Sequence, residues 1–219
     1  MKRLRGFTLI EIAIVLVIIG LILGGVLKGQ ELINSARVRS MTDQVNGITA
    51  AWFAFQDRYR ALPGDYGQAS TQINATLVDG DGNGQIDSNA ERGQVWAQLQ
   101  AANMLIGSYD GAATGSDYNC AAGTCPQNIL GRSMLITFDN QGSGGAAAGN
   151  ELWSGNSISA LVLAEMDRKM DDGIATTGDM RVGTGDTGWT GTAAGSCLSG
   201  TAYNVTQDSG NCAAVFRRF

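Results

Sequence analysis

Apolar and polar positions change period several times along the chain. Residues 7–27 are an almost unbroken apolar run of 21 residues. As a helix rising about 1.5 Å per residue they span roughly 30 Å, enough for the hydrocarbon core of a bilayer. The pattern then becomes a stripe, with Met41, Val45, Ile48, Trp52, Phe55 and Tyr59 recurring every three or four positions. Arg37, Arg39, Asp43, Gln44 and Gln56 fall between them, the signature of an amphipathic helix. One helix over 7–58 accounts for both stretches, ended by the Pro63-Gly64 turn. Its length would be about 75 Å, a shape suited to lateral packing.

Beyond the turn, a second helix is predicted over 91–106 from Val95, Trp96, Leu99 and Ile106. A third is predicted over 157–171 from Ile158, Leu161, Val162, Met166 and Met170. The β-prone segment 133–139 reads as a strand, as do the shorter 180–182 and 213–216. This order predicts an α+β fold: a long N-terminal helix, membrane-spanning then amphipathic, packed on a small antiparallel sheet head with long loops. The corresponding division is 1–6, a basic leader; 7–30 and 31–60, the two halves of the helix; and 61–219, the head.

Composition adds exclusions. At 219 residues one core is feasible. With 31 Gly against 2 Pro, segments such as 140–150 and 183–200 read as polar surface loops. The chain has no His, which removes Ser-His-Asp catalysis and His-based zinc sites. No other nucleophile motif is present, so an enzyme is not expected. The formal net charge of −5 becomes more negative if Lys2, Arg3 and Arg5 leave with a leader, which disfavours nucleic acid as a partner. Cys120, Cys125, Cys197 and Cys212 allow three connectivities. Proximity favours 120–125 and 197–212, with thiolate zinc binding as the competing reading.

One polar segment carries candidate chemistry. In 79-DGDGNGQIDSNAE-91, side-chain oxygens alternate at Asp79, Asp81 and Asn83, Gly84 allows a sharp turn, and Gln85 offers a carbonyl before Asp87. Hard cations want several oxygens from a tightly turning segment, so a structural calcium site on Asp79, Asp81, Asn83, Gln85, Asp87 and Glu91 is an expectation. The loop departs from the calcium pattern at its end, where Ala90 holds the twelfth position and Glu91 follows. A solvated Asp/Gly/Asn turn is the alternative.

Glu11 stands inside the apolar run, where a carboxylate is costly unless paired or near an interface. The segment Gly6-Phe7-Thr8-Leu9-Ile10-Glu11, behind a leader with Lys2, Arg3 and Arg5, resembles the cleavage and methylation motif of type IV prepilins. The resemblance implies cleavage between Gly6 and Phe7 by a prepilin peptidase and N-methylation of Phe7. It implies a precursor in the bacterial inner membrane with its N-terminus in the cytoplasm, extracted by an assembly platform into an extracellular or periplasmic fibre. Glu11 of one subunit would then neutralise the Phe7 amine of a neighbour and set register, the best-attested use of a buried ion pair. Gly20, Gly24, Gly25 and Gly29 suit either close helix packing or local melting, with no proline before Pro63. The stretches 61-ALPGD-65 and 166-MDRKMDDG-173 are similar to a bacterial group of prepilin-like proteins.

The function the resemblance implies is a structural subunit of a type IV pilus or pilus-like fibre, homo-oligomeric or mixed. The alternative is a pseudopilin of a type II secretion system. The paired cysteines lean towards a pilin, and a calcium loop towards a pseudopilin, since major pseudopilins commonly use calcium. A tip-located adhesive minor pilin is a third reading, with Trp153 and Trp189 as stacking candidates.

Overall fold

A computed structural model describes residues 9–114, 120–121, 123–142, 144–145, 147–183, 194–207 and 210–219. Two compact units are present, Met1–Arg37 and Val38–Phe219. Helix α1 (Leu9–Tyr59) runs unbroken for 51 residues, through all four glycines of its first half. Its described residues in the first unit bury nothing: Leu9 is 88% exposed and Leu21 72%. By length and composition it is the one helix among the described residues able to cross a membrane.

In the second unit the apolar stripe of α1 becomes core. Val38, Met41, Val45, Ile48, Ala51, Trp52 and Phe55 are all buried. The aromatic steps continue past the helix, with Tyr59 and Tyr66 stacked obliquely at 5.4 Å and Phe55 edge-on to Tyr66. Arg60, at φ 55, turns the chain out of the helix before Pro63.

After a four-residue helix α2 (Ala69–Gln72), α3 (Asn89–Ala101) begins two residues earlier than its apolar spacing predicts. Ser88 and Glu91 form a reciprocal capping box there, satisfying two amides that a helix start leaves orphaned. The helix ends before 106 because Asn103, at φ 60, closes it, the Met104 and Leu105 amides returning to Leu99 O.

Strands β1 (Leu135–Asp139) and β2 (Gly149–Trp153) form an antiparallel hairpin, from Leu135 opposite Trp153 to Asp139 opposite Gly149. Helix α4 (Ala160–Met170) is capped by Ser159, whose hydroxyl accepts from the Val162 amide. Strand β3 (Met180–Val182), a four-residue helix α5 (Ala194–Cys197), the short pair β4 (Leu198–Ser199) and β5 (Ala202–Tyr203), and a 3-10 turn (Val205–Gln207) follow. Strand β6 (Ala214–Phe216) enters the main sheet between β2 and β3, giving the antiparallel order β1-β2-β6-β3. The fold is α+β, with the sheet and the α1 stripe sharing one core; Trp52 meets Phe219 edge-to-face at 5.5 Å.

Candidate functional site

The N-terminal motif and the polar loop between α2 and α3 carry most of the residues singled out in the sequence. Gly6 and Phe7 lie outside the described residues. Glu11 is in the first turn of α1, where the helix dipole favours a carboxylate, flanked by exposed Leu9, Ile10, Ile12 and Ile14. A Cβ placed on Gly20, Gly24, Gly25 or Gly29 would meet nothing within 4 Å. Those positions thus leave smooth backbone on an apolar helix, the surface that lets another helix approach closely.

The polar loop is organised by a residue outside the segment expected to bind calcium. Asp65, buried beyond the Pro63-Gly64 turn, accepts through Oδ1 from the Gly82 and Asn83 amides, at 2.6 and 3.1 Å. Its Oδ2 accepts from Gly84 N at 2.8 Å. Burial raises the Asp65 carboxyl above its usual range, and these amides pull it back. Gly80 is required beside it, because a Cβ there would fall 2.4 Å from Asp65 Cα. Carboxylate oxygens of Asp65, Asp81 and Glu91 lie within 4.8 Å of one another.

The other candidates have separate duties. Asp79 turns to Ser70, accepting from its amide at 2.7 Å and its hydroxyl at 2.9 Å. Asn83 accepts from Gln85 N and donates to Asp81 Oδ2. Asp87 gives its carbonyl to Arg92. The structure thus gathers Asp81 and Glu91 with Asp65, and the carboxylates of Asp79 and Asp87 are not in that group. A three-carboxylate cluster can hold a hard divalent cation through oxygen. In the sequence, the sign of Asp65 was its place in the 61-ALPGD-65 turn, eighteen residues before Asn83.

All four cysteines are in disulfides, Cys120–Cys125 and Cys197–Cys212, each with 5.8 Å between Cα atoms. The second ties the end of α5, just before β4, to the segment leading into β6, where Cys212 exchanges backbone hydrogen bonds with Ile158 ahead of α4. Trp153 is buried in β2 as a packing anchor and presents no stacking face; Trp189 lies outside the described residues.

The family model described as the prokaryotic N-terminal methylation motif matches residues 1–27. No curated protein and no solved structure matches the chain.

Proposed function

From a prepilin-type motif that supports a place in the type IV pilin-like family, we propose that this chain is a structural, non-enzymatic subunit of a type IV pilus. The motif and the apolar helix behind it fit a membrane-anchored precursor that is processed and assembled into a surface or periplasmic fibre. The observation carrying the proposal is continuity: the motif runs directly into α1, whose first-unit residues bury nothing while its later stripe is core. A helix of that kind has its apolar face free for lipid and then for other subunits. Within the fibre, Glu11 neutralises the Phe7 amine of a neighbour in a medium where either charge alone is costly. Glu11→Ala should be cleaved as the parent is, yet be incorporated at least tenfold less, read by immunoblot of sheared fibres. Fibre yield equal to the parent would remove Glu11 from assembly.

The acidic loop favours the second reading, a type II secretion pseudopilin. Asp65, Asp81 and Glu91 supply the oxygen cluster a structural calcium would use. On that reading, Asp81→Asn removes one calcium-binding event from the calorimetric titration, the one that Asp167→Asn leaves in place, and deletion of the gene blocks export of secreted proteins. Loss of surface fibres with export intact supports the pilus instead. Immunogold signal confined to fibre ends would indicate a tip subunit.

A further inference from the structure

The end of α4 holds a second acidic group, in the stretch 166-MDRKMDDG-173. Asp167 lies in the last turn of the helix, Asp171 is its C-cap, and Asp172 follows. One carboxylate oxygen from each lies within 4.8 Å of the other two. A helix C-terminus carries negative partial charge, so a cation bound among acids there also meets the favourable end of the dipole. Arg168 and Lys169 lie in the same last turn; Arg218 donates to Met170 O and to Asp179, and Arg181 donates Nε to Gly178 O while its charge also acts on Asp172.

Asp167 supplies an independent observation. It is wholly buried, its Oδ2 accepts from the Tyr203 hydroxyl at 2.8 Å, and its Oδ1 has no hydrogen-bond partner. A buried acceptor left unmatched is costly and rare in a native core. With Oδ2 taken by Tyr203, Oδ1 is the oxygen available to a ligand. Burial raises the Asp167 carboxyl; the Tyr203 hydrogen bond favours its charged form, and so does the Gly173 amide, which stands near the carboxylate outside hydrogen-bond geometry.

We propose that Asp167, Asp171 and Asp172 bind a divalent, oxygen-seeking cation, for which calcium has the fitting size. Oxygens sharing one calcium at about 2.3–2.6 Å are at most roughly 5 Å apart, so the trio can close on the ion with little movement. The turn is already shaped around these acids. Asp171 Oδ2 accepts from Met180 N, and a Cβ on Gly178 would fall 2.0 Å from that oxygen. Asp172 accepts from Ile174 N and the Thr177 hydroxyl, and each of its oxygens keeps a second lone pair for a metal. Asp172 is exposed, giving an ion a route in and leaving positions for water in the six to eight that calcium takes. The bound ion would brace α4 against β3 through Asp171 and against β5 through Asp167 and Tyr203.

This site is separate from the Asp65 cluster and does not rest on the fibre reading. The full chain, purified in detergent and stripped with chelator, is titrated with calcium by calorimetry and with terbium under tyrosine excitation. Saturable terbium emission, displaced by calcium and weakened at least threefold by Tyr203→Phe, is expected from a lanthanide seated beside that ring. Asp172→Asn, at an exposed position where folding is not in question, should lower calcium affinity at this site at least tenfold. Asp167→Asn, which keeps an acceptor for Tyr203, should do the same, while Asp81→Asn leaves the Tyr203-sensitised signal intact. No saturable binding to the parent chain overturns the proposal. So does binding that Asp167→Asn and Asp172→Asn leave unchanged; Asp167 then carries a proton in place of an ion.

Discussion

Glu151 shows at the scale of one residue how burial and pairing compete. It is wholly buried in β2, with Arg217 Nε 3.1 Å from Oε1 and the Gln141 amide 3.2 Å from Oε2. Burial still outweighs both partners and raises the carboxyl from 4.5 to about 7. The folded chain therefore holds this proton more tightly than the unfolded chain. The stabilisation is full below the unfolded value and is lost as the pH rises through about 7. The linked change is on the order of 3 kcal/mol between those limits. Glu151→Gln keeps an acceptor for Arg217 and removes the titration. In chelator, its melting temperature should vary less between pH 5 and 8 than that of the parent, with the variant gaining on the parent at pH 8. Parallel curves would show Glu151 ionised throughout.

At the scale of the element, α3 is the helix whose burial its sequence conceals. Arg92, Gln94 and Gln98 are buried along with Val95 and Leu99. Gln98 accepts from Gly64 N and donates to Val78 O, while Gln94 accepts from Val78 N and donates to Gly111 O. These amides supply the backbone partners that the surrounding loops lack. Removing the cap that starts the helix, by Ser88→Ala, should cost about 1 kcal/mol in chemical denaturation. A value near zero would show that the Glu91 half of the capping box suffices. The same contrast explains what could be read beforehand. The α1 stripe, α4, β1, β3 and β6 follow apolar periods, and the methylation motif is local in sequence. Strand β2 does not show a period, because it opens on Gly149-Asn150 and Glu151 sits in its centre. Asp65 could not be joined to Gly82 and Gly84 by spacing, since only folding brings a turn at 65 to a loop at 82. Asp167 likewise reads as one charge in a charged helix end until its burial and its Tyr203 contact are seen.

At the scale of the whole chain, the two units differ in what completes them. The first leaves its apolar helix without cover from its own fold, and the second closes a core of its own. That closure depends on the last strand. β6 lies between β2 and β3, pairing Leu152 with Phe216 on one side and Met180 with Phe216 on the other. Ala214, Val215 and Phe216 are fully buried, and Phe219 covers Trp52 on α1. Without β6, β2 and β3 have no common neighbour, and their inward edges carry unpaired backbone groups that a core does not tolerate. The pairing is also long-range in sequence, so the sheet cannot be completed until nearly all of the head is available. A chain ending at Ala213 should therefore lose its cooperative thermal transition even with Cys197–Cys212 intact. Phe219→Ala, which keeps the strand and removes one edge-to-face contact, should retain the transition and lower it by several degrees. A cooperative transition in the shortened chain at the parent's temperature would show that α1 and the β1–β2 hairpin hold the core without the central strand.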